Sequence, residues 1–119
     1  MSKEKAKGDA FERAVAAVFR RCGHPHAERV LRLGARDDRG DITGLAGVIP
    51  LHLDCKNHAR LELAAWLDEC REEAQRVHAC PAVIVKRKGR TAERAYVVMD
   101  LEDFAYLTFD WNHARGLVP

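Results

Sequence analysis

Val48-Ile49-Pro50-Leu51-His52-Leu53-Asp54-Cys55-Lys56-Asn57 is the stretch whose reading decides the fold. From Leu51 it alternates with a period of two. Leu51, Leu53 and Cys55 leave one face, and His52, Asp54 and Lys56 leave the other. The pattern predicts a strand over residues 48–57. Its apolar face should be packed, and its other face should be the polar or cleft side of a central strand. A carboxylate and an ammonium side by side in such a place are costly unless they are paired or used.

Working upstream, Asp41 lies thirteen residues before Asp54. Asp41–Leu45 reads as another strand, and Gly44 and Gly47 mark a turn or bulge after it. A return through this turn brings Asp41 beside Asp54. Two carboxylates in a small space repel each other, and a hard divalent cation relieves that repulsion. Mg²⁺ is the expected ion, with Mn²⁺ as a substitute, because both prefer oxygen ligands. The backbone carbonyl of Cys55 offers a further oxygen. The chemistry this supports is phosphodiester hydrolysis: the metal polarises the phosphoryl oxygens and lowers the pKa of a bound water. Lys56 orients or helps to deprotonate that water and offsets charge building on phosphorus. Two clear carboxylates and a possible third favour one metal over two.

The rest of the chain supplies the frame. Residues 1–7 are charged and read as a flexible lead-in. A helix is predicted from about Asp9 to Cys22, with Phe11, Val15, Val18, Phe19 and Cys22 on one face and Gly23 and Pro25 ending it. Glu28–Gly34 is a strand candidate, followed by an exposed charged loop to Gly40. Arg60–His78 reads as a second helix, stopped by Pro81. Residues 81–86 and 94–99 read as a hairpin across a polar linker. Asp100 suits the cap of a short helix through about Leu107, and 108–119 is a tail that packs on the domain or on a partner subunit. The order predicts a single α/β domain over 1–119: a central mixed five-stranded sheet flanked by helices, with a helical crossover between its third and fourth strands.

Composition bounds the rest. A chain of 119 residues is the size of one ordinary domain, and 47% hydrophobic content is enough for a core. Twenty Lys and Arg against eighteen Asp and Glu give a net charge of +2, so any polyanion partner must be met by a local patch. The four cysteines form no CxxC pair and read as free thiols of a reducing, cytoplasmic compartment. There is no signal sequence or membrane span to read. Cys22-Gly23-His24-Pro25-His26 lacks a matching distant ligand pair and reads as a turn that happens to hold histidines.

Gly40-Asp41-Ile42 followed by Leu53-Asp54-Cys55-Lys56 and a helix resembles the PD-(D/E)XK nuclease superfamily. The nearest look is to archaeal-type and phage Holliday junction resolvases, over roughly Gly8 to Met99. The resemblance implies a restriction-endonuclease-like core. It puts the family's strand-turn aspartate on Asp41, its second acidic residue on Asp54 and its lysine on Lys56. The glutamate that resolvases carry in the first helix falls on Glu12, as a catalytic and metal-binding residue. The resemblance further implies a homodimer that cuts four-way DNA junctions with Mg²⁺. Asp54 stands where those resolvases usually have glutamate, and glycine replaces the proline at the head of the motif. A nicking, repair or restriction-like nuclease of the same fold is the alternative reading, as is a non-catalytic nucleic-acid-binding protein.

The residues expected to touch DNA are Arg13, Arg36, Arg39, Asn57, His58, Arg60, Lys86, Arg87, Lys88 and Arg90. Of these, Lys86-Arg87-Lys88-Gly89-Arg90 at the hairpin tip is the strongest basic patch. On the crossover helix Glu69, Glu72 and Gln75 are all candidates to face the site.

Overall fold

The N-terminal run alternates Lys, Glu and Ala, which are good helix formers, directly behind a serine. The computed structural model describes residues 2–31 and 40–114, with side chains through residue 109. In it α1 spans Lys3–Arg21. The Ser2 hydroxyl accepts the Lys5 amide at 3.0 Å and caps the helix. The flexible lead-in expected over 1–7 is thus replaced, from Lys3 onward, by helix. Asp9, expected at the helix start, lies nearly two turns inside and pairs with Arg29 at 2.8 Å. Phe11, Val15 and Ala16 are the buried face of α1.

Five short strands follow in two sheets rather than in the single five-stranded sheet expected. β1 (Glu28–Arg29) pairs antiparallel with β2 (Ile42–Thr43). β3 (Leu51–Lys56) leads into helix α2 (Leu63–Arg76) and then β4 (Cys80–Val85). β3 and β4 are parallel, with Leu51 opposite Cys80 and Lys56 opposite Val85. β5 (Tyr96–Val98) runs antiparallel to β4 after a 3₁₀ turn at Ala92–Arg94. The three-stranded sheet is mixed and α2 is its crossover, as expected, but its middle strand is β4 and not β3. The break between the sheets has a local cause. The segment before β2 touches β3 through the Asp41 amide and the Leu53 carbonyl, at 2.7 Å. Gly44 (φ +79°) then presses its Cα against the His26 carbonyl and turns the chain away before a ladder can extend.

Each face of the three-stranded sheet carries its own core. On the α1 side Phe11, Val15, Ala16, Ile42, Leu53 and Ile84 pack together, with Leu51 and Cys55 against them. On the α2 side the buried residues are Trp66, Cys70, Val83 and Val85. Burying side chains of this size stabilises by about 1.5–3 kcal/mol each. α2 buries Trp66, Cys70 and Ala74; Leu63 at its start is exposed, as are Leu61 and Val77 just beyond its two ends.

α2 ends at Arg76, short of the proline expected to stop it. His78 adopts a left-handed φ of +54°, and the Ala79 amide bonds back to the Ala74 carbonyl at 2.9 Å. Pro81 instead lies inside β4. The last helix, α3, runs Leu101–Ala114, well past the expected end at Leu107. Asp100 stands directly before it, its carbonyl accepting the Phe104 amide at 3.0 Å, and its carboxylate receives two Arg71 nitrogens, at 3.0 and 2.5 Å, tying α2 to the start of α3. The packing of Trp111 and the ends of the tail lie outside the described residues. All four cysteines are free, and Cys22 is exposed. No helix among the described residues is long and apolar enough to cross a membrane.

Candidate metal and nucleic-acid site

The free edge of β3, opposite β4, is where the sequence-predicted acids approach. Asp41 docks there twice. Its amide donates to the Leu53 carbonyl, and its carboxylate Oδ2 accepts the Cys55 amide at 2.6 Å. Gly40 makes this approach possible. At its φ of +82°, a Cβ would stand 2.8 Å from the Leu53 oxygen and 3.0 Å from the Leu53 nitrogen. In a strand a residue's amide and carbonyl leave on the same side, so the Cys55 carbonyl also points toward the Asp41 edge.

Charge converges on this point. Burial pushes the Cys55 thiol well above its ordinary value, and the carboxylates of Asp41, Glu12 and Asp54 push it further, with Lys56 opposing them. Glu12 reaches this neighbourhood from α1, and its carboxylate lies 3.8 Å from Arg29. Arg29, which the sequence gave no reason to single out, thus holds both Asp9 and Glu12.

Asp54 itself lies on the α2 side of β3. That face was expected to be a polar cleft, but α2 roofs it. The small side chains of Cys70 and Ala74 let the helix close over the strand. His52 Nε2 stands 3.5 Å from Asp54 Oδ1 and 2.9 Å from Glu73 Oε2. Cys70 Sγ lies 3.6 Å from the carbonyls of His52 and Ala82. Among the described residues, His52, Asp54 and Cys70 bring their ligand atoms within 4.8 Å of one another. Asp41 and Glu12 stand outside that tight group. Burial alone would raise the Asp54 carboxyl, but the hydrogen bond and charge of His52, with Lys56 and Cys70, bring it below the ordinary carboxylate range. Burial alone would lower the imidazole of His52, and Asp54 and Glu73 together raise it.

Glu69, Glu72 and Gln75 are exposed, and Glu73 is the acid of α2 that turns toward the strand. Sequence reasoning missed His52, Cys70 and Glu73. The signal was present: His52 shares the period-two face of Asp54 and Lys56, and Cys70 and Glu73 are three apart on the helix. Lys56 is half-buried, with Nζ 6.0 Å from the centre of the Trp66 ring. The His58 ring lies 5.3 Å from the same tryptophan.

Beyond the ends of the two parallel strands opens a cleft of ≈ 690 Å³, lined by Lys7, Asn57, His58, Lys86, Arg87 and Lys88 among others. Ligands of open α/β sheets bind at such strand ends. Lys86 bonds the carbonyls of Arg87 and Arg90, at 2.8 and 2.5 Å, and so shapes the loop. Arg87 stacks over Tyr96 at 4.9 Å. Lys88 and Arg90 are exposed at the tip, Arg60 is exposed between the cleft-lining Ala59 and Leu61, and Arg13 is exposed on α1. Arg36 and Arg39 lie outside the described residues. His24 serves the turn, as expected: its Nδ1 accepts the Ala46 amide at 3.0 Å and its ring meets Phe19 edge-on.

A family model described as "Phage putative PDDEXK endonuclease" matches residues 3–115. The chain belongs to that family. The matched range includes the acid-X-lysine pattern on β3, Asp54-Cys55-Lys56, and the aspartate docked beside it. Membership places the chain in the PD-(D/E)XK superfamily, whose members are typically divalent-metal-dependent nucleases of DNA. No curated protein and no solved structure matches the chain.

Proposed function

We propose that the protein is a divalent-metal-dependent DNA endonuclease acting at the free edge of β3. The observation that carries this reading is the docking of Asp41 onto that edge, with its carboxylate 2.6 Å from the Cys55 amide. This puts the charge of Asp41 with those of Glu12 and Asp54 around one residue, and Lys56 is the opposing cation. The donors suit a hard ion: three carboxylates and the Cys55 carbonyl, all oxygen. Asp41, Asp54 and the Cys55 carbonyl would hold it, with Glu12 as a further ligand, directly or through water. Bound there, Mg²⁺ or Mn²⁺ supplies Lewis acidity and a water of lowered pKa. Lys56 would orient the attacking water and offset negative charge as it builds on the phosphorus. Asn57, His58, Lys88 and Arg90, with the basic cleft beyond the strand ends, bind the DNA backbone and position it without reading sequence.

The finer reading is resolution of four-way junctions by a homodimer, as a cytoplasmic enzyme. Two features favour it. Glu12 is half-buried on α1 beside Arg29, and the resemblance to resolvases puts their first-helix glutamate on it. Val97, Leu101, Phe104, Tyr106 and Phe109 expose large apolar surfaces along β5 and α3, which a second subunit would cover.

The test compares wild type with Asp54→Asn on a four-way junction and on linear duplex, in Mg²⁺, Mn²⁺ and chelator. Withdrawing a metal ligand should lower the cleavage rate by about a thousandfold, from the several kcal/mol a metal contributes. Equal cleavage by both proteins would sink the assignment. Cleavage of duplex and junction alike would leave a general endonuclease and remove the junction reading.

A further inference from the structure

The cluster under α2 holds a second donor set, different in kind from the first. Cys70, His52 and Asp54 are 0%, 1% and 7% exposed, so their ligand atoms are fixed by packing. The fourth member, Glu73, keeps its carboxylate a quarter exposed, 2.9 Å from His52 Nε2, and opens the cluster to solvent. The geometry is built into two rigid elements. His52 and Asp54 alternate on β3, and Cys70 and Glu73 sit one turn apart on α2. One thiol, one imidazole and two carboxylates are not what a hard ion selects. Sulfur and imidazole nitrogen favour ions of the Zn²⁺ type, which take four donors in a tetrahedron. Around such an ion the ligand atoms stand roughly 3.3–3.8 Å apart. The His52–Asp54 separation is already 3.5 Å, and the three core donors need only a small closure from within 4.8 Å.

We propose that His52, Asp54, Cys70 and Glu73 form a binding site for a thiophilic divalent ion such as Zn²⁺, and that its occupation silences cleavage by engaging Asp54. The first half stands on the donor geometry alone; the second rests on the nuclease reading above. On binding, the Cys70 sulfur and the His52 Nε2 each give up any proton to solvent, and the dication takes over as partner of both carboxylates. Asp54 is the shared residue. With its charge neutralised from the α2 side it is a poorer ligand for a hard ion at the β3 edge, and two dications so close repel each other. Occupation of the soft site therefore weakens binding at the hard one.

Co²⁺ added to the full-length protein is the probe. Wild type should take up one Co²⁺ per chain and show a thiolate-to-cobalt charge-transfer band. Zn²⁺ should erase the band and Mg²⁺ should not. Cys70→Ser should lose it, while Cys22→Ser and Cys55→Ser should keep it. Should Cys70→Ser fail to fold, Glu73→Gln on the partly exposed rim serves instead. It should weaken Zn²⁺ binding by at least about the tenfold that losing even an outer-shell partner costs.

In Mg²⁺, one equivalent of Zn²⁺ should lower wild-type cleavage by about tenfold or more, again the scale of a disturbed ligand shell. The residual cleavage of Cys70→Ser should be insensitive to it. No band in wild type, or a band that survives in Cys70→Ser, overturns the site. Equal inhibition by Zn²⁺ in both proteins overturns the antagonism. A normal cobalt band in a protein that never cuts DNA overturns the nuclease reading and leaves the site standing.

Discussion

The two faces of β3 are buried to nearly the same degree by opposite means. On the α1 side Leu53 is 2% exposed among aliphatic and aromatic neighbours. On the α2 side His52 is 1% exposed, and its ring Nε2 faces Asp54 and Glu73. The first face is held by transfer from water, which asks little of geometry. The second relies on polar partners, met at His52 Nε2 and unmet at its buried Nδ1, which asks for specific residues at specific positions. One strand thus carries a structural surface and a chemical one back to back, and substitutions should tell them apart.

The largest effect is expected on the apolar face. Leu53→Ala should lower unfolding free energy by about 2–5 kcal/mol in a denaturant titration, at all pH values between 5 and 9. A pH-dependent loss would mean that the two faces are coupled.

Gly40→Ala should come next, at about 2–3 kcal/mol. It adds left-handed strain of about 1–2 kcal/mol to a displaced Asp41–Leu53 hydrogen bond worth about 0.5–1.5. Since the Asp41 docking depends on this approach, cleavage should fall far more than in Gly47→Ala, where a Cβ meets nothing. Equal activity in the two variants would detach the edge contact from function.

On the polar face, His52→Gln should be milder, about 1.5 kcal/mol, and should depend on pH. The His52 pKa is raised above its ordinary 6.5, so its contribution is full below that value and is lost as pH rises through the raised one. Asp54 is lowered from its ordinary 3.8, so its contribution is full above that value and is lost as pH falls through the lowered one. The difference between wild type and His52→Gln should therefore be greatest between about pH 4 and 6.5 and shrink on the alkaline side. A constant gap across that range, measured in metal-free buffer, would show that the ion pair does not hold this face. The smallest effect is expected far from both faces: Lys88→Ala should leave stability unchanged and reduce the salt dependence of DNA binding by about one phosphate contact.

These faces also mark what the sequence could and could not say. The alternation from Leu51 to Lys56 located β3 and assigned both of its faces, because a period of two is a property of the backbone. The pairing of acid and lysine on one side followed from it. Three things did not follow. Asp41 meets the strand at its edge, by way of a glycine whose left-handed turn has no periodic signal. The polar face is roofed, because Cys70 and Ala74 are small enough for α2 to settle on it, a matter of volume and not of polarity. The five expected strands divide into two sheets because Gly44 turns away after a single bond, and strand propensity is blind to where a ladder stops. At the chain start the error ran the other way: the charge of Lys3–Lys7 looked like a solvated tail, but Ser2 caps it into helix.

The parallel pairing of β3 with β4 also sets an order in time. Leu51 and Cys80, which begin that register, are 29 residues apart. Closing a loop of about that length costs roughly 3 kcal/mol of chain entropy before any contact repays it. α2 lies wholly inside the loop and can form locally. Until β4 has been synthesised and has docked, β3 lacks its ladder partner among the described residues, and Val83 and Val85 are missing from the floor beneath α2. During synthesis, the full packing around the acids, imidazole and thiol therefore comes into being late, once residue 85 is free to fold, and both proposed metal sites are completed together with the sheet.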